Sequence, residues 1–275
     1  MPLLSRVING LIGSGSPIPT QPVQGAVDYL CIQMMGQSNV MGRDSAINLP
    51  APKQGKLTDI LIYNYSTSKI EQYEAGVNST LDSTGLNYYG YEVHIATQLR
   101  DMYNMPVIIF KFGEGGTTLA QSTNSKGDWN VNSTNELLDM WEGHRSAFLT
   151  KCAQTKINPI GMPLIWHQGE TDAFQTTSTF ADAYQVNETD LFNRVIANSI
   201  LGSSNKIVSV NIESTYGDHA STVRSAKSTN ASSFSEVVLL DADGKPLKDT
   251  VHLNTSGLLQ MGNEIFEEIK NDFGV

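Results

Sequence analysis

At 275 residues and a formal net charge of −10, the chain lacks the basic footprint that nucleic acid or another polyanion needs, whereas a neutral or acetylated sugar meets no such barrier. Its 40% hydrophobic, 17% charged and 8% aromatic content fits a globular domain and excludes disordered or fibrous classes. No stretch approaches the roughly 18 consecutive apolar residues of a membrane span.

Residues 1–25, "MPLLSRVINGLIGSGSPIPTQPVQG", read as an apolar hook followed by a Gly/Ser/Pro linker, ahead of a domain over 26–275. Leu3, Leu4, Val7, Ile8, Leu11 and Ile12 are compatible with one helix face, so the hook is expected either to fray or to dock on another protein chain. Asn9, Gly10 and Gly13 break up the patch and no signal-type run follows. That is compatible with a cytoplasmic protein and equally with one carried on a virus particle such as a phage tail.

From residue 28 onward, strand-like apolar runs alternate with helical patterns. Strands are expected over 29–35, 59–64, 106–112, 162–167, 206–212 and 236–241. Helices are expected over 136–155, 180–201 and 256–272, where apolar residues such as Leu137, Trp141, Phe148 and Cys152 share a face. Continuously apolar strands separated by helices indicate an α/β fold with a parallel sheet covered on both faces, whose sites form at the carboxyl ends of the strands. Cys31 and Cys152 are too few for a disulfide framework and are expected as buried free thiols.

Four polar clusters fall where that rule places a site. "GQSN" (36–39), "GEGGTTLA" (113–120) and "HQGETD" (167–172) each follow an apolar run, and "DTVH" (249–252) precedes the last helix. Singly, each has a structural explanation, as a helix cap, a tight turn, a loop hydrogen-bonder or a satisfied histidine. Together they supply a serine hydrolase: Ser38 attacks, His252 takes its proton, and Asp249 orients the imidazole. The backbone N–H of Ser38, one from the Gly115-Gly116 turn and the amide of Gln168 are the expected oxyanion donors.

"GQSNVMGR", "GGTTLA", "WHQGETD" and "DTVHLNTSG", in that order, resemble the conserved blocks of the SGNH hydrolases, specifically the sialate O-acetylesterase-like branch grouped as carbohydrate esterase family six. The resemblance runs from about residue 29 to the C-terminus. It implies a flavodoxin-like three-layer α/β/α sandwich, carbohydrate O-acetylesterase activity, no metal and no cofactor. It also implies Ser38 as nucleophile, Asp249 and His252 completing the triad, and Gly115 or Gly116 with Gln168 in the oxyanion hole. Glu114, beside those glycines, departs from the neutral residue expected there.

Glu170 and Asp172 make a poor glycosidase pair, because two carboxylates at i,i+2 do not flank one bond. Glu170 is expected instead to organise the site by pairing with Arg43; Arg43, His167 and Asp172 are expected to line or support the pocket. His94 and His144 read as structural, and His219 is a rival base if His252 is misplaced. Trp129 is either a sugar-stacking platform or a packing anchor. A non-catalytic carbohydrate-binding or structural module is the alternative to the esterase. A nucleotide binder is disfavoured, since no phosphate-cradling glycine loop is present.

Overall fold

The computed structural model describes residues 25–81, 87–123 and 125–275. The hook and linker assigned to 1–25 therefore lie, apart from Gly25, outside the described residues. In chain order the elements are β1 (Val27–Gly36), α1 (Ser38–Met41), β2 (Asp44–Ser45), β3 (Lys56–Asn64), β4 (Lys69–Glu74), β5 (Tyr88–Tyr89), α2 (Glu92–Tyr103) and β6 (Val107–Gly113). There follow α3 (Leu137–Gln154), β7 (Ile157–His167), α4 (Glu170–Ala173), α5 (Thr179–Ala197), β8 (Ile207–Val210), α6 (Ala220–Ser233), β9 (Val237–Leu240) and α7 (Thr255–Ile269).

Seven strands form one sheet in the order β4-β3-β6-β1-β7-β8-β9, and β2 pairs with β5 in a separate ribbon. All pairings in the large sheet are parallel except β3 with β4, so the sheet expected to be parallel is mixed at one edge. Side chains alternate across its central strands, apart from a bulge in β7 opposite Ile32. Cys31 and Met35 of β1 and Ile108, Phe110 and Phe112 of β6 face a core completed by α3, α5 and α6. Leu30, Ile32 and Met34, with Val107 and Ile109, face a second core under α2 and α7. A strand buried on both faces needs apolar residues at every position, which is why these runs are continuous in the sequence. Cys31 and Cys152 are free and buried. No helix among the described residues is long and apolar enough to cross a membrane.

The register sets the site. Gly36 at the end of β1 is level with Gly113 of β6 and His167 of β7, so the three central strands release their chains at one edge. From β1 the chain moves to β3 on one side, while β6 sends it across to β7 on the other. A crevice opens where neighbouring connections part: β7 sends the chain on to β8, away from the path taken from β1, so beside Ser38 the parting lies between the ends of β1 and β7.

Candidate active site

Ser38 stands at the first position of α1, immediately beyond β1. The turn is tight enough that only glycine fits at 36: its φ is +142°, and a Cβ there would lie 2.1 Å from the His167 carbonyl oxygen. Gln37 extends the strand ladder by one bond, its N–H donating to His167 O at 3.1 Å, and the chain then turns into the helix with Ser38 7% exposed.

His252 reaches Ser38 from the segment before α7. Its Nε2 is 3.0 Å from Ser38 Oγ, and its Nδ1 is 2.8 Å from Asp249 Oδ2. A carboxylate can only accept, so Nδ1 carries the hydrogen and Nε2 is left to accept from the hydroxyl. Asp249 Oδ1 also accepts the N–H groups of Val251 and His252, at 2.9 and 2.8 Å. Burial pushes the Asp249 carboxyl up, but the imidazole and these N–H groups outweigh it and hold the group below the ordinary aspartate value. His219 sits at the start of α6, with its N–H on Ala173 O; the ring that meets Ser38 is that of His252.

Asn39, beside Ser38, was named in the motif without a role, and it holds the site together. Its amide nitrogen donates to Glu170 Oε1 at 2.7 Å and to Val251 O at 3.1 Å, and its Oδ1 accepts the N–H of Leu253 at 3.2 Å. The residues on both sides of His252 are thereby fixed to the residue after Ser38. Only the adjacency to Ser38 hinted at this, since these partners lie far along the chain.

Glu170 pairs with His167, Nε2 to Oε1 at 3.3 Å, and with Asn39; the expected pairing with Arg43 is not made. The reason is direction: α4 turns Glu170 inward beneath Ser38, while Arg43 leaves α1 toward Gly115. Burial raises the Glu170 carboxyl, yet the His167 ring and the Asn39 amide prevail and set it at about 2. His167 is wholly buried and stacks on Tyr91 at 6.3 Å, away from solvent.

The two glycines of the turn after β6 separate clearly. A Cβ on Gly115 would lie 3.5 Å from Ser38 Cβ and 2.5 Å from Arg43 Nη2, whereas among the described residues one on Gly116 would meet Lys126, at 3.5 Å from its Nζ. Gly115 is thus the one that borders Ser38. Lys126 donates to Gly115 O at 2.9 Å and stands 4.0 Å from Glu114, so the unexpected acid has a counter-charge. Among the described residues the backbone N–H groups of Ser38 and Gly115 donate to no other group.

Gln168 is fully buried, and its Nε2 donates to Asp172 Oδ2 at 2.6 Å, Thr117 O at 3.0 Å and Gln37 Oε1 at 3.3 Å. Tyr184 OH donates to its Oε1 at 3.0 Å. Asp172 also takes the N–H groups of Leu119 and Ala120, tying the loop after β6 to the loop after β7. Burial drives the Asp172 carboxyl up to about 7 against these hydrogen bonds. Trp129 is a packing anchor and not a sugar platform: it is fully buried, with Nε1 donating to Thr117 Oγ1 at 3.1 Å. His94 and His144 are structural, the first against Lys53 at 3.0 Å, the second packed on Tyr65 and Phe112.

A family profile described as carbohydrate esterase, sialic acid-specific acetylesterase, matches residues 29–271. The chain belongs to this carbohydrate esterase family. The esterase is therefore a carboxylic ester hydrolase by descent, and the profile covers every segment that meets at Ser38. No curated relative matches its sequence. Its fold is similar to that of a protein from Arabidopsis thaliana, with a TM-score of 0.72 at 21% identity over 89% of this chain and 99% of that one. It is similar also to NanS, at 0.63 and 13% over 90% and 98%. A carbohydrate acetylesterase from Xanthomonas citri gives 0.52 at 13% identity, over 88% of this chain and 56% of that one.

Proposed function

We propose that the esterase removes acetyl groups from O-acetylated carbohydrate through a Ser38-His252-Asp249 relay. The observation that carries the reading is the unbroken line of contacts, 3.0 Å from Ser38 Oγ to His252 Nε2 and 2.8 Å from Nδ1 to Asp249. His252 takes the Ser38 proton as Oγ bonds to the acetyl carbon. The negative oxygen that forms is met by the free N–H groups of Ser38 and Gly115. Gln168, expected as a third donor, is fully buried with both its N–H groups given to Asp172, Thr117 O and Gln37, and its part is to hold the loops that carry the other two donors. Collapse breaks the bond to the sugar oxygen, which leaves with the proton from His252. Water, deprotonated by the same ring, then releases acetate and restores Ser38.

Asp249 keeps the hydrogen on Nδ1 and stabilises the imidazolium. Asn39, Glu170 and His167 form the floor that holds the base over the nucleophile, and Asp172 holds Gln168. The test is acetate release from acetylated saccharide and hydrolysis of p-nitrophenyl acetate, by the wild type and by Ser38→Ala. Activity in the wild type alone is expected; equal activity in both would overturn the assignment of Ser38.

A further inference from the structure

Phe174 is 64% exposed and is the one aromatic side chain among the exposed large hydrophobics of the described residues. An isolated exposed apolar residue is ordinary, but this ring is stacked on a second one. Tyr216 lies against it with centroids 5.3 Å apart and planes at 18°. The two rings come from different strand-end loops, one after β7 and one after β8, and so stand on the same sheet edge as Ser38.

Their position relative to the triad follows from the chain. Phe174 closes α4, its N–H donating to Glu170 O at 3.1 Å, and Glu170 at the other end is bonded to Asn39. At 1.5 Å per residue, that single turn places Phe174 about 6 Å along the helix from Glu170. Tyr216 closes in from the other loop: burial, then the negative charges of Glu170 and Asp249, raise its hydroxyl above the usual tyrosine value. The tyrosine is therefore within electrostatic reach of both the floor and the acid of the triad.

The pair is also held in place before any ligand arrives. Gly217, next to Tyr216, has φ +85°, and a Cβ there would lie 2.6 Å from Ala173 O and 3.0 Å from Phe174 Cα. The N–H of His219 donates to Ala173 O at 3.1 Å, and that of Tyr216 to Glu213 O at 3.2 Å. The loop is thus seated on α4, so little ordering entropy is lost when a ligand packs on it.

We infer that Phe174 and Tyr216 form a stacking platform for the apolar C–H face of the pyranose ring that carries the acetyl group. A pyranose has flat C–H faces and a rim of hydroxyls, which suits a fixed aromatic surface with one polar tip better than it suits a polar cleft. Stacking withdraws the C–H face from water and leaves the hydroxyls solvated. The acetyl group at the ring edge is then directed toward Ser38 in the crevice between β1 and β7. This inference rests on the reading of the chain as a carbohydrate deacetylase.

The test compares Phe174→Ala, Phe174→Trp and Tyr216→Ala on mono-O-acetylated methyl pyranosides, a sialoside included, and on ethyl acetate, which has no ring to stack. Each alanine variant should lower the ratio of kcat/KM for pyranoside over ethyl acetate by about 10- to 100-fold, through KM, as expected for one lost stacking contact. Phe174→Trp should restore the ratio. A ratio within about twofold of wild type for both alanine variants overturns the platform. Saturation-transfer NMR of the same pyranosides on Ser38→Ala, with and without Phe174→Ala, separates the two readings. Ring-proton signals that vanish with Phe174 uphold the platform even if Ser38→Ala still turns over ester, in which case the proposed mechanism falls alone. Signals that survive Phe174→Ala, or that are absent from Ser38→Ala itself, overturn the platform while leaving the esterase reading to its own assay.

Discussion

The amide of Asn39 donates to Glu170 Oε1 at 2.7 Å, joining the residue after Ser38 to the residue that opens α4. Because the same amide also grips Val251 O, and its oxygen the N–H of Leu253, Asn39 works as the bracket that sets where His252 stands. Asn39→Ala should lower kcat about 10- to 100-fold, with KM for p-nitrophenyl acetate changed much less, since misplacement of a reacting group by about 1 Å has that effect. Steady-state kinetics at matched folded fraction, followed by circular dichroism, checks it. A kcat near wild type would show that the segment before α7 holds His252 without help from Asn39.

The two glycines after β6 should respond differently to the same methyl group. Gly115→Ala sets a Cβ against Arg43 and Ser38 and should reduce kcat by roughly 10²- to 10³-fold, the usual effect of disturbing one oxyanion donor. Gly116→Ala makes an ordinary contact with the Lys126 side chain but keeps φ +77°, so its penalty should be about 1–2 kcal/mol of stability with kcat little changed. Paired urea melts and kinetics of the two variants decide this; a reversal of the pattern would make Gly116 the donor.

The buried carboxyls predict a specific dependence of stability on pH. Asp172 keeps its proton up to about 7 in the folded chain, while an unfolded aspartate releases it near 3.9. Between those values the folded state binds the extra proton, so stability falls as pH rises from about 4 to 7, by on the order of 4 kcal/mol for this group. Glu170 acts in the opposite sense. Its pKa is depressed to about 2, so its contribution is complete above the ordinary glutamate value near 4.3 and is lost as pH falls through 2. Urea unfolding at pH 5, 6, 7 and 8 should show the decline in the wild type and a flatter profile in Asp172→Asn. Parallel profiles would mean that Asp172 does not carry the proton.

Lys227 and Glu188 form a fully buried ion pair at 2.9 Å behind the site, where Glu188 also accepts from Trp166 Nε1 at 2.9 Å and from Asn230 Nδ2 at 3.0 Å. Lys227→Met strands the carboxylate in the core and should cost roughly 3–5 kcal/mol. Lys227→Met with Glu188→Gln should recover part of it. Denaturant midpoints of the wild type, the two single variants and the double variant test the claim, and additive losses would show that the two charges are not coupled.

How much of this was legible beforehand differs by element and has physical causes. β1, β6 and β7 were readable because strands buried on both faces are continuously apolar; Ser38 stood out in the polar cluster that ends the first of those runs, and Asp249 with His252 in the short cluster before the last helix. β4 escaped notice: "KIEQYE" is charged, half-buried and defined by its antiparallel pairing to β3. α6 was hidden because its inner face includes Lys227 and Asn230 beside Ala220 and Val223, so the apolar period is broken by buried polar residues. The expected Arg43–Glu170 pair failed for a related reason: charge complementarity was visible in the sequence, the direction in which α4 points its first residue was not. Phe174 and Tyr216 carried no motif at all, being a surface phenylalanine and a loop tyrosine until the turn at Gly217 brings them together.

His252 comes 214 positions after Ser38, and every strand of the large sheet precedes it. On the ribosome, where synthesis proceeds at about 5–20 residues per second, Ser38 and the loops after β6 and β7 emerge well ahead of His252. α7, which follows His252 and buries Leu258, Met261, Ile265 and Ile269 against the sheet, covers one face only at that point. A nascent chain can therefore lay down its scaffold before Ser38 meets His252, and the same late segment that shields the remaining core face delivers that histidine, so completion of the proposed site and protection from aggregation arrive in a single step.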